Sequence, residues 1–582
     1  MGVTGVLFCT AAGGSYGMGH LSRCLALAEE GADSFRSTLC LLRGEQEALR
    51  KVALPPWLTT ARHPEEAEDI DLIVSDLRDT NRSDMKSLVQ IAPVVAIDDA
   101  GEGRRLAAFC IYSLPLASDL SGNCIGLSYL VLSPRIREIT PLPWSKKEGV
   151  LVSFGGADPE GLTNTAATIL NRIGVRPTVI RGPFFTCNMK DVDAEIVEGG
   201  IDILDLINRA RVLITSFGIT MYEALYLGTP VLLINRSRYH EALSKKTPLV
   251  SLGYDGEVSL DSVTQMLRKI LEEPEKLRKI ARQSRSIVDV NGASRIVAVI
   301  LQAARGCRQD CLFSHRKYRA VKRCEEFSLL RCRRCGDLFL FELRDKGGIY
   351  DNEDYFLEDY KQQYGCSYIE DRDTITSMGL ERITVIEEIA VSRGRILDVG
   401  CAMGFFLDLA RSRGWETQGI EISEFASRWA RENLSLDVIT GSFLNLELPP
   451  ESYDAVTFFF VAEHLCDLEA MARKTYAILK KGGILCIALP NRGGISFRIN
   501  KEEYIVHHPR DHYIDTTVRN LARFLKGFGF ERRRVRITGI HPERFFKIFG
   551  IEKGGNCLDR IYSNLAKIFS LGDTFEVYAV KE

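Results

Sequence analysis

The chain has no apolar run of membrane-spanning length. Its start, Met1-Gly2-Val3-Thr4-Gly5-Val6-Leu7-Phe8, lacks the basic residues that open a secretory signal. Neither a spanning segment nor an export leader is expected, and the opening apolar run reads as a first buried strand. Net charge is nearly absent as well, with 75 Lys and Arg against 77 Asp and Glu. Such a balance gives no global attraction to nucleic acid or to an anionic membrane, so neither is an expected partner. There is no low-complexity tract and no short-period repeat. The 16 cysteines are scattered apart from one cluster, which suits reduced thiols and a cytoplasmic setting better than a disulfide scaffold.

What is present is soluble-protein composition, 45% hydrophobic and 26% charged, over 582 residues. That length exceeds one ordinary core, so three or four domains are expected. Residues 1–305 alternate apolar strands, such as 71–76, 94–99 and 211–216, with helical patterns. This predicts α/β architecture with parallel sheets. A hinge at Pro141-Leu142-Pro143-Trp144 before a new strand at 149–154 divides the region into lobes 1–142 and 143–305. Residues 306–345 carry the clustered cysteines. Residues 346–582 begin with a Tyr- and Asp-rich linker and return to βα alternation from Ile396, spaced as in a doubly wound sheet.

In the first lobe, Gly13, Gly14, Gly17 and Gly19 crowd the turn after the first strand, and a helix opens through Leu21, Cys24 and Leu25. Glycines let backbone approach a ligand, and a helix N-terminus offers N–H groups to anionic oxygen. His20 stands at that mouth, either as a base toward water or a sugar hydroxyl or as a plain helix cap. In the second lobe, Ser153-Phe154-Gly155-Gly156-Ala157-Asp158-Pro159 forms another glycine turn. Then Ser216-Phe217-Gly218-Ile219-Thr220 leads into a helix bearing Glu223. Thr220 and Glu223 are placed to hold a diphosphate and a ribose, or to form a capping box without a ligand.

Gly-x-Gly-His-x-x-Arg, Phe-Gly-Gly-x-Asp-Pro and Ser-x-Gly-x-Thr-x-x-Glu-Ala-x-x-x-Gly-x-Pro, in this order, resemble the nucleotide-sugar hydrolase of pseudaminic acid biosynthesis and the spore-coat-polysaccharide glycosyltransferase-like proteins. The resemblance implies a two-lobed GT-B fold and hydrolysis of a UDP-linked sugar. His20 would be the base. Gly17, Gly19, Arg23, Gly155, Gly156, Asp158, Ser216, Gly218, Thr220 and Glu223 would bind the nucleotide-sugar. Asp98-Asp99 matches an acidic pair of that family. Two departures stand out: Phe8-Cys9-Thr10-Ala11 replaces an Arg-x-Asp opening, and Asp76-Leu77-Arg78 replaces Asp-x-Tyr. Glycosyl transfer to an acceptor and non-catalytic sugar binding stay open for this half.

Cys307 and Cys311, followed by Cys332-x-x-Cys335-Gly336, have the spacing of a zinc ribbon, in which four thiolates satisfy a structural Zn²⁺. The first pair is one residue wider than usual, so Cys324 or His315 is an alternative fourth ligand, and unliganded thiols are a further one. Residues 305–346 hold twelve Lys or Arg against six Asp or Glu. With the whole chain near neutral, this excess is expected to solvate the ribbon or meet substrate phosphate; methylation of RNA guided by it is the competing reading.

Asp398-Val399-Gly400-Cys401-Ala402-Met403-Gly404 follows a strand and opens a helix, and Glu421 ends the next strand. Gly400 and Gly404 would let the chain pass against a cofactor, with a carboxylate for ribose hydroxyls. Together with a Lys480-Lys481-Gly482-Gly483 turn, this order favours S-adenosylmethionine (SAM) over a dinucleotide. Ser442 and Phe443 fall where adenine is met. Glu463 and His464 follow the fourth strand at the substrate edge, with His464 as base and Glu463 orienting it, unless proximity alone suffices. His507, His508 and His512 read as part of a lid. Residues 307–530, including the tract from Tyr355 to Tyr368, resemble class I SAM methyltransferases with an N-terminal zinc ribbon. That resemblance implies methylation of a sugar or related intermediate, on oxygen more than carbon. The expected whole is a bifunctional carbohydrate-biosynthesis enzyme.

Overall fold

The computed structural model describes the chain except residues 1–3, 15, 115–121, 187–188, 190, 199–202, 248, 255–259, 285–287, 306–310, 343–354 and 548–554. It divides into two compact units, Met1–Arg305 with Arg323–Phe327, and Gly306–Lys322 with Ser328–Glu582. Among the described residues no helix is long and apolar enough to cross a membrane.

The first unit holds two parallel sheets. The first contains β1 (Gly5–Ala12), β2 (Arg36–Gly44), β3 (Thr59–Ala61), β4 (Leu72–Asp76), β5 (Val94–Ile97), β6 (Phe109–Tyr112) and β7 (Cys124–Ile125). Their order is β3-β2-β1-β4-β5-β6-β7. β1 and β4 are buried along their whole length, as strands covered on both faces must be. The second sheet contains β8 (Glu148–Val152), β9 (Thr178–Arg181), β10 (Glu195–Glu198), β11 (Ala210–Thr215), β12 (Val231–Asn235) and β13 (Val250–Tyr254), in the order β10-β9-β8-β11-β12-β13. In each sheet the winding reverses beside the first strand, at β1/β4 and at β8/β11. Ligands of open parallel sheets lie in that crevice, at the carboxyl ends of the strands.

Apart from the end residues Arg323 and Phe327, the second unit contains β14 (Tyr318–Arg323), β15 (Phe327–Cys332), β16 (Leu338–Glu342), β17 (Arg395–Val399), β18 (Glu416–Glu421), β19 (Val438–Thr440), β20 (Tyr453–Phe459), β21 (Leu479–Pro490), β22 (Ile514–Asp515), β23 (Phe530–Thr538) and β24 (Thr574–Lys581). A small sheet runs β14-β15-β16-β22, with β22 antiparallel to β16. The large sheet runs β19-β18-β17-β20-β21-β24-β23. It is parallel except for β24, which lies antiparallel between β21 and β23. Its reversal falls between β17 and β20. The Lys480–Gly483 segment, expected as a turn before the strand, lies inside β21, where the register to β20 jumps from Leu479 to Ile484. The surplus residues are exposed through Gly482, whose φ of +76° accommodates the bulge.

Candidate functional site

The reversal in the first sheet places the Gly13–His20 turn after β1 beside the end of β4. There His20 Nδ1 lies 2.7 Å from Asp76 Oδ1. A carboxylate only accepts, so Nδ1 donates and the imidazole lone pair resides on Nε2, the tautomer a base needs. One turn along the helix Gly19–Glu30, buried Arg23 donates through Nε to Asp76 at 2.8 Å and through a terminal nitrogen to Asp98. Burial opposes its charge, but the charges of Asp76 and Asp98 outweigh this and hold it protonated. Arg23, expected to contact the nucleotide-sugar, is thus committed to two buried carboxylates. Asp98 is further fixed by Ser113, whose N–H and hydroxyl reach it at 2.7 and 2.6 Å. Asp76 was visible in the sequence only as part of a departure from the family pattern; its distance from His20 along the chain hid the pairing.

At the second reversal, β8 leads to Gly155 and Gly156 and β11 to Ser216 and Gly218. A Cβ on Gly156 would strike the Met18 side chain at 2.3 Å, so the glycine there permits close approach of the two turns. Gly17 and Gly155 have φ of +69° and +87°. Among the described residues nothing lies within 4 Å of a Cβ built on Gly17 or Gly19. Asp158, expected to bind the nucleotide-sugar, instead accepts the N–H groups of Leu162 at 3.0 Å and Thr163 at 2.7 Å. Only 2% of it is exposed, and its carboxylate caps the helix Leu162–Arg172. The helix Ile219–Tyr226 starts at Gly218 with no side-chain cap, so Thr220 and Glu223 do not form the capping box. Burial raises the Glu223 carboxyl to about 7, against the lowering effect of the Ser133 N–H. Buried Ser216 Oγ and Tyr222 Oη lack hydrogen-bond partners among the described residues.

In the second unit, ligand atoms of Cys311, His315, Cys332 and Cys335 all lie within 4.8 Å of one another. Cys332 ends β15, and Gly336, with φ of +81°, turns the chain back toward β16. Backbone N–H groups of Arg334 and Cys335 point at Cys332 Sγ at 3.4 and 3.5 Å, and that of His315 at Cys311 Sγ at 3.3 Å. Asp337 braces the turn, accepting from Asn520 at 2.7 Å and Thr516 at 2.9 Å. Three sulfurs this close cannot all ionise without a cation between them, and three Sγ with one imidazole nitrogen match a tetrahedral zinc donor set. Cys307, the expected fourth ligand, lies outside the described residues. Among the described residues His315 completes the group, while Cys324 lies in the β14–β15 turn and is not part of it.

In the large sheet, β17 leads into the Gly400–Gly404 loop. Both glycines have left-handed φ, +71° and +80°. A Cβ on Gly400 would meet Val461 at 2.3 Å, and one on Gly404 would meet Leu436 at 2.5 Å. Glu421, at the end of β18, accepts from Ala402 N–H at 2.8 Å and from Ser423 N–H at 2.9 Å. It thereby ties the glycine loop to the neighbouring strand. Asp398 accepts from Thr457 Oγ1 at 2.6 Å, and burial lifts its carboxyl to about 7. Phe443, expected where adenine is met, is 2% exposed and its ring packs edge-on against Phe458. The tract from Tyr355 to Tyr368, expected as a linker, packs against the helix after the glycine loop. Tyr368 stacks on Phe405 at 5.6 Å, on the first residue of the helix that leaves the glycine loop, and Phe356 packs against Tyr368 and Phe425.

Beyond β20, Glu463 and His464 occupy the other side of the reversal. His464 Nδ1 lies 2.9 Å from the Asp511 carbonyl oxygen and 3.3 Å from its carboxylate. A carbonyl can only accept, so this imidazole also carries its lone pair on Nε2. Burial, then the neighbouring His512, lowers His464 to about 4. Burial raises Glu463 to about 8. For His512 burial opposes the charge, but the hydrogen bond and charge of Asp515 win and raise it to about 9. His508, expected on a lid, is buried, with Nε2 3.0 Å from Asp515 Oδ2. His507 is exposed.

Residues 370–535 match the family model described as a methyltransferase domain. A probable S-adenosylmethionine-dependent methyltransferase of Mycolicibacterium smegmatis is 30% identical over 98 residues, which is 17% of this chain and 38% of that protein. The ubiquinone biosynthesis O-methyltransferase of Stutzerimonas stutzeri is 28% identical over 129 residues, 21% of this chain and 55% of that protein. The chain thus spans about a third to a half of the length of these curated relatives. A SAM-dependent methyltransferase structure from Archaeoglobus fulgidus is 21% identical, covering 39% of this chain and 99% of that one, with a TM-score of 0.29. The C-terminal part of the chain therefore contains a methyltransferase domain whose relatives include SAM-dependent methyltransferases.

Proposed function

We propose that the chain is a bifunctional carbohydrate-modifying enzyme, in which the C-terminal half methylates a hydroxylated sugar or related intermediate from SAM. The N-terminal half, as a GT-B-like pair of lobes, binds a UDP-sugar and cleaves its glycosyl bond. The observation that supports the methyltransferase reading most is the Gly400–Gly404 loop. A side chain there would close the space beside Val461, and Glu421 stands at the adjoining strand end. Gly400, Gly404 and Glu421 hold the donor, with Ser442 near its adenine. Tyr368, Phe356 and Phe405 form an aromatic wall that excludes water from this side. SAM supplies an electrophilic methyl group. The acceptor enters at the end of β20 and loses its proton toward the group formed by Glu463, His464 and His512.

In the N-terminal half, His20 Nε2 takes a proton from water while Asp76 holds the ring in that tautomer. The glycine turns and the start of the helix Ile219–Tyr226 receive the diphosphate, and Glu223 the ribose. Cys311, His315, Cys332 and Cys335 would hold a zinc ion that would order the small sheet, a structural role that takes no part in the chemistry. Incubating the protein with a panel of UDP-sugars and SAM, and following UDP release and mass gain of the product by mass spectrometry, tests both halves. Absence of any methylated product with hydroxylated sugars, although SAM binds, would remove the carbohydrate assignment.

A further inference from the structure

We propose that Glu463, His464 and His512 form a site for a divalent first-row transition metal at the acceptor edge of the methyltransferase domain. The inference deepens the methyltransferase reading and rests on it for its location. Ligand atoms of these three residues lie within 4.8 Å of one another. Glu463 is 1% exposed, and among the described residues its Oε2 has no hydrogen-bond partner. A buried carboxylate oxygen left unpaired is costly, and a cation is one way to satisfy it.

The surroundings of the two imidazoles point the same way. His464 is anchored through Nδ1 on Asp511, and His512 Nδ1 faces Asp515 Oδ1 at 3.5 Å. A histidine that ligates a metal is oriented as His464 is, through a carboxylate or carbonyl on the opposite ring nitrogen. Asp515 is itself fixed by Tyr504 Oη at 2.7 Å and His508 Nε2 at 3.0 Å. The two rings meet edge to face, with centroids 5.0 Å apart, which converges them from different segments onto one point. Two imidazoles and one carboxylate are a set used by zinc, iron, manganese and cobalt, with positions left open.

Placement supplies the purpose. Val461, two residues before Glu463, is the side chain against which Gly400 is closely packed. The trio therefore adjoins the glycine loop, where the open positions would receive an acceptor hydroxyl and polarise it. Substrates with two neighbouring oxygens, such as a vicinal diol, would fit such a centre best.

The test is cobalt(II) titration of the metal-stripped full-length protein, read by absorption. The cysteine-containing group gives a thiolate-to-cobalt charge-transfer band. The trio gives ligand-field bands without it. The proposal expects an equivalent of the second kind that disappears in Glu463→Gln and in His512→Gln, while the thiolate band persists as the control for folding. Asp515→Asn should weaken that equivalent by ~10–100-fold, as loss of a ligand-orienting group does. A protein that takes up only thiolate-ligated cobalt overturns the proposal, as does a second equivalent that survives both variants. SAM binding, measured by calorimetry on the metal-free protein, separates this outcome from failure of the methyltransferase reading.

Discussion

His20 and Asp76, 56 residues apart in sequence, meet at 2.7 Å because β1 and β4 are neighbours in the first sheet. The pair shares its carboxylate with Arg23, so the same aspartate both orients the imidazole and neutralises a buried cation. These roles separate by mutation. His20→Ala should lower UDP release by about 10²–10⁴-fold with little change in thermal stability. Asp76→Asn should lower it comparably and also destabilise the protein by about 3 kcal/mol, because Arg23 loses a buried partner. Rates and melting curves of the two variants check this, and unchanged UDP release in His20→Ala would remove the assigned base.

Gly400 is required twice, by its φ of +71° and by Val461 at 2.3 Å from the place of a Cβ. Gly400→Ala should weaken SAM binding by about tenfold or more, since left-handed strain of about 1–2 kcal/mol adds to the clash. A second change, Val461→Ala, removes the clash but not the strain. The double variant should recover part of the affinity in calorimetry. Recovery of none would mean that Val461 does not shape the loop.

The legible parts of these sites were those with local chemistry. The glycine turns announced themselves because left-handed or crowded backbone demands that residue at one point in the chain. Partners brought by strand order did not. Asp76 and Asp511 act on His20 and His464, which reach them only across a sheet or a return segment, and no local spacing marks these pairings. Asp158 misled for the opposite reason. A short Asp-containing turn before a helix has the same spacing whether the carboxylate holds a ligand or the first N–H groups of the helix, and here it holds the latter. His512 shares no helix with Glu463 and His464, which hid a group assembled from the segment after β20 and the segment before β22.

The cysteine group should contain one zinc. Cys332→Ser and His315→Ala should each reduce its metal content, while Cys324→Ala should leave it unchanged, since Cys324 stands outside the group. Removal of the metal should raise hydrogen exchange across β14–β16 more than in β17, whose backbone pairs within the large sheet. Elemental analysis and exchange mass spectrometry make the measurement. Zinc retained in Cys332→Ser would show that the ligand set is wrong.

Acid stability offers a last test, away from both candidate sites. Glu387, 14% exposed, accepts from Arg413 and Arg393, and Trp415 Nε1 lies 3.4 Å away. The hydrogen bonds from Arg413 lead in lowering its carboxyl from 4.5 to about 2. The folded state therefore binds a proton at this site less readily than the unfolded chain. The stabilisation is complete above the unfolded value of 4.5 and is lost as pH falls toward 2. Glu387→Gln should cost about 2 kcal/mol at neutral pH, the worth of hydrogen bonds to a charged group. The cost should shrink as the solution is acidified through that window, because protonated wild type and variant then make similar contacts. Denaturant melts of both proteins at neutral and acid pH decide it, and a difference independent of pH would show that the Arg413 contact does not act through the ionised carboxylate.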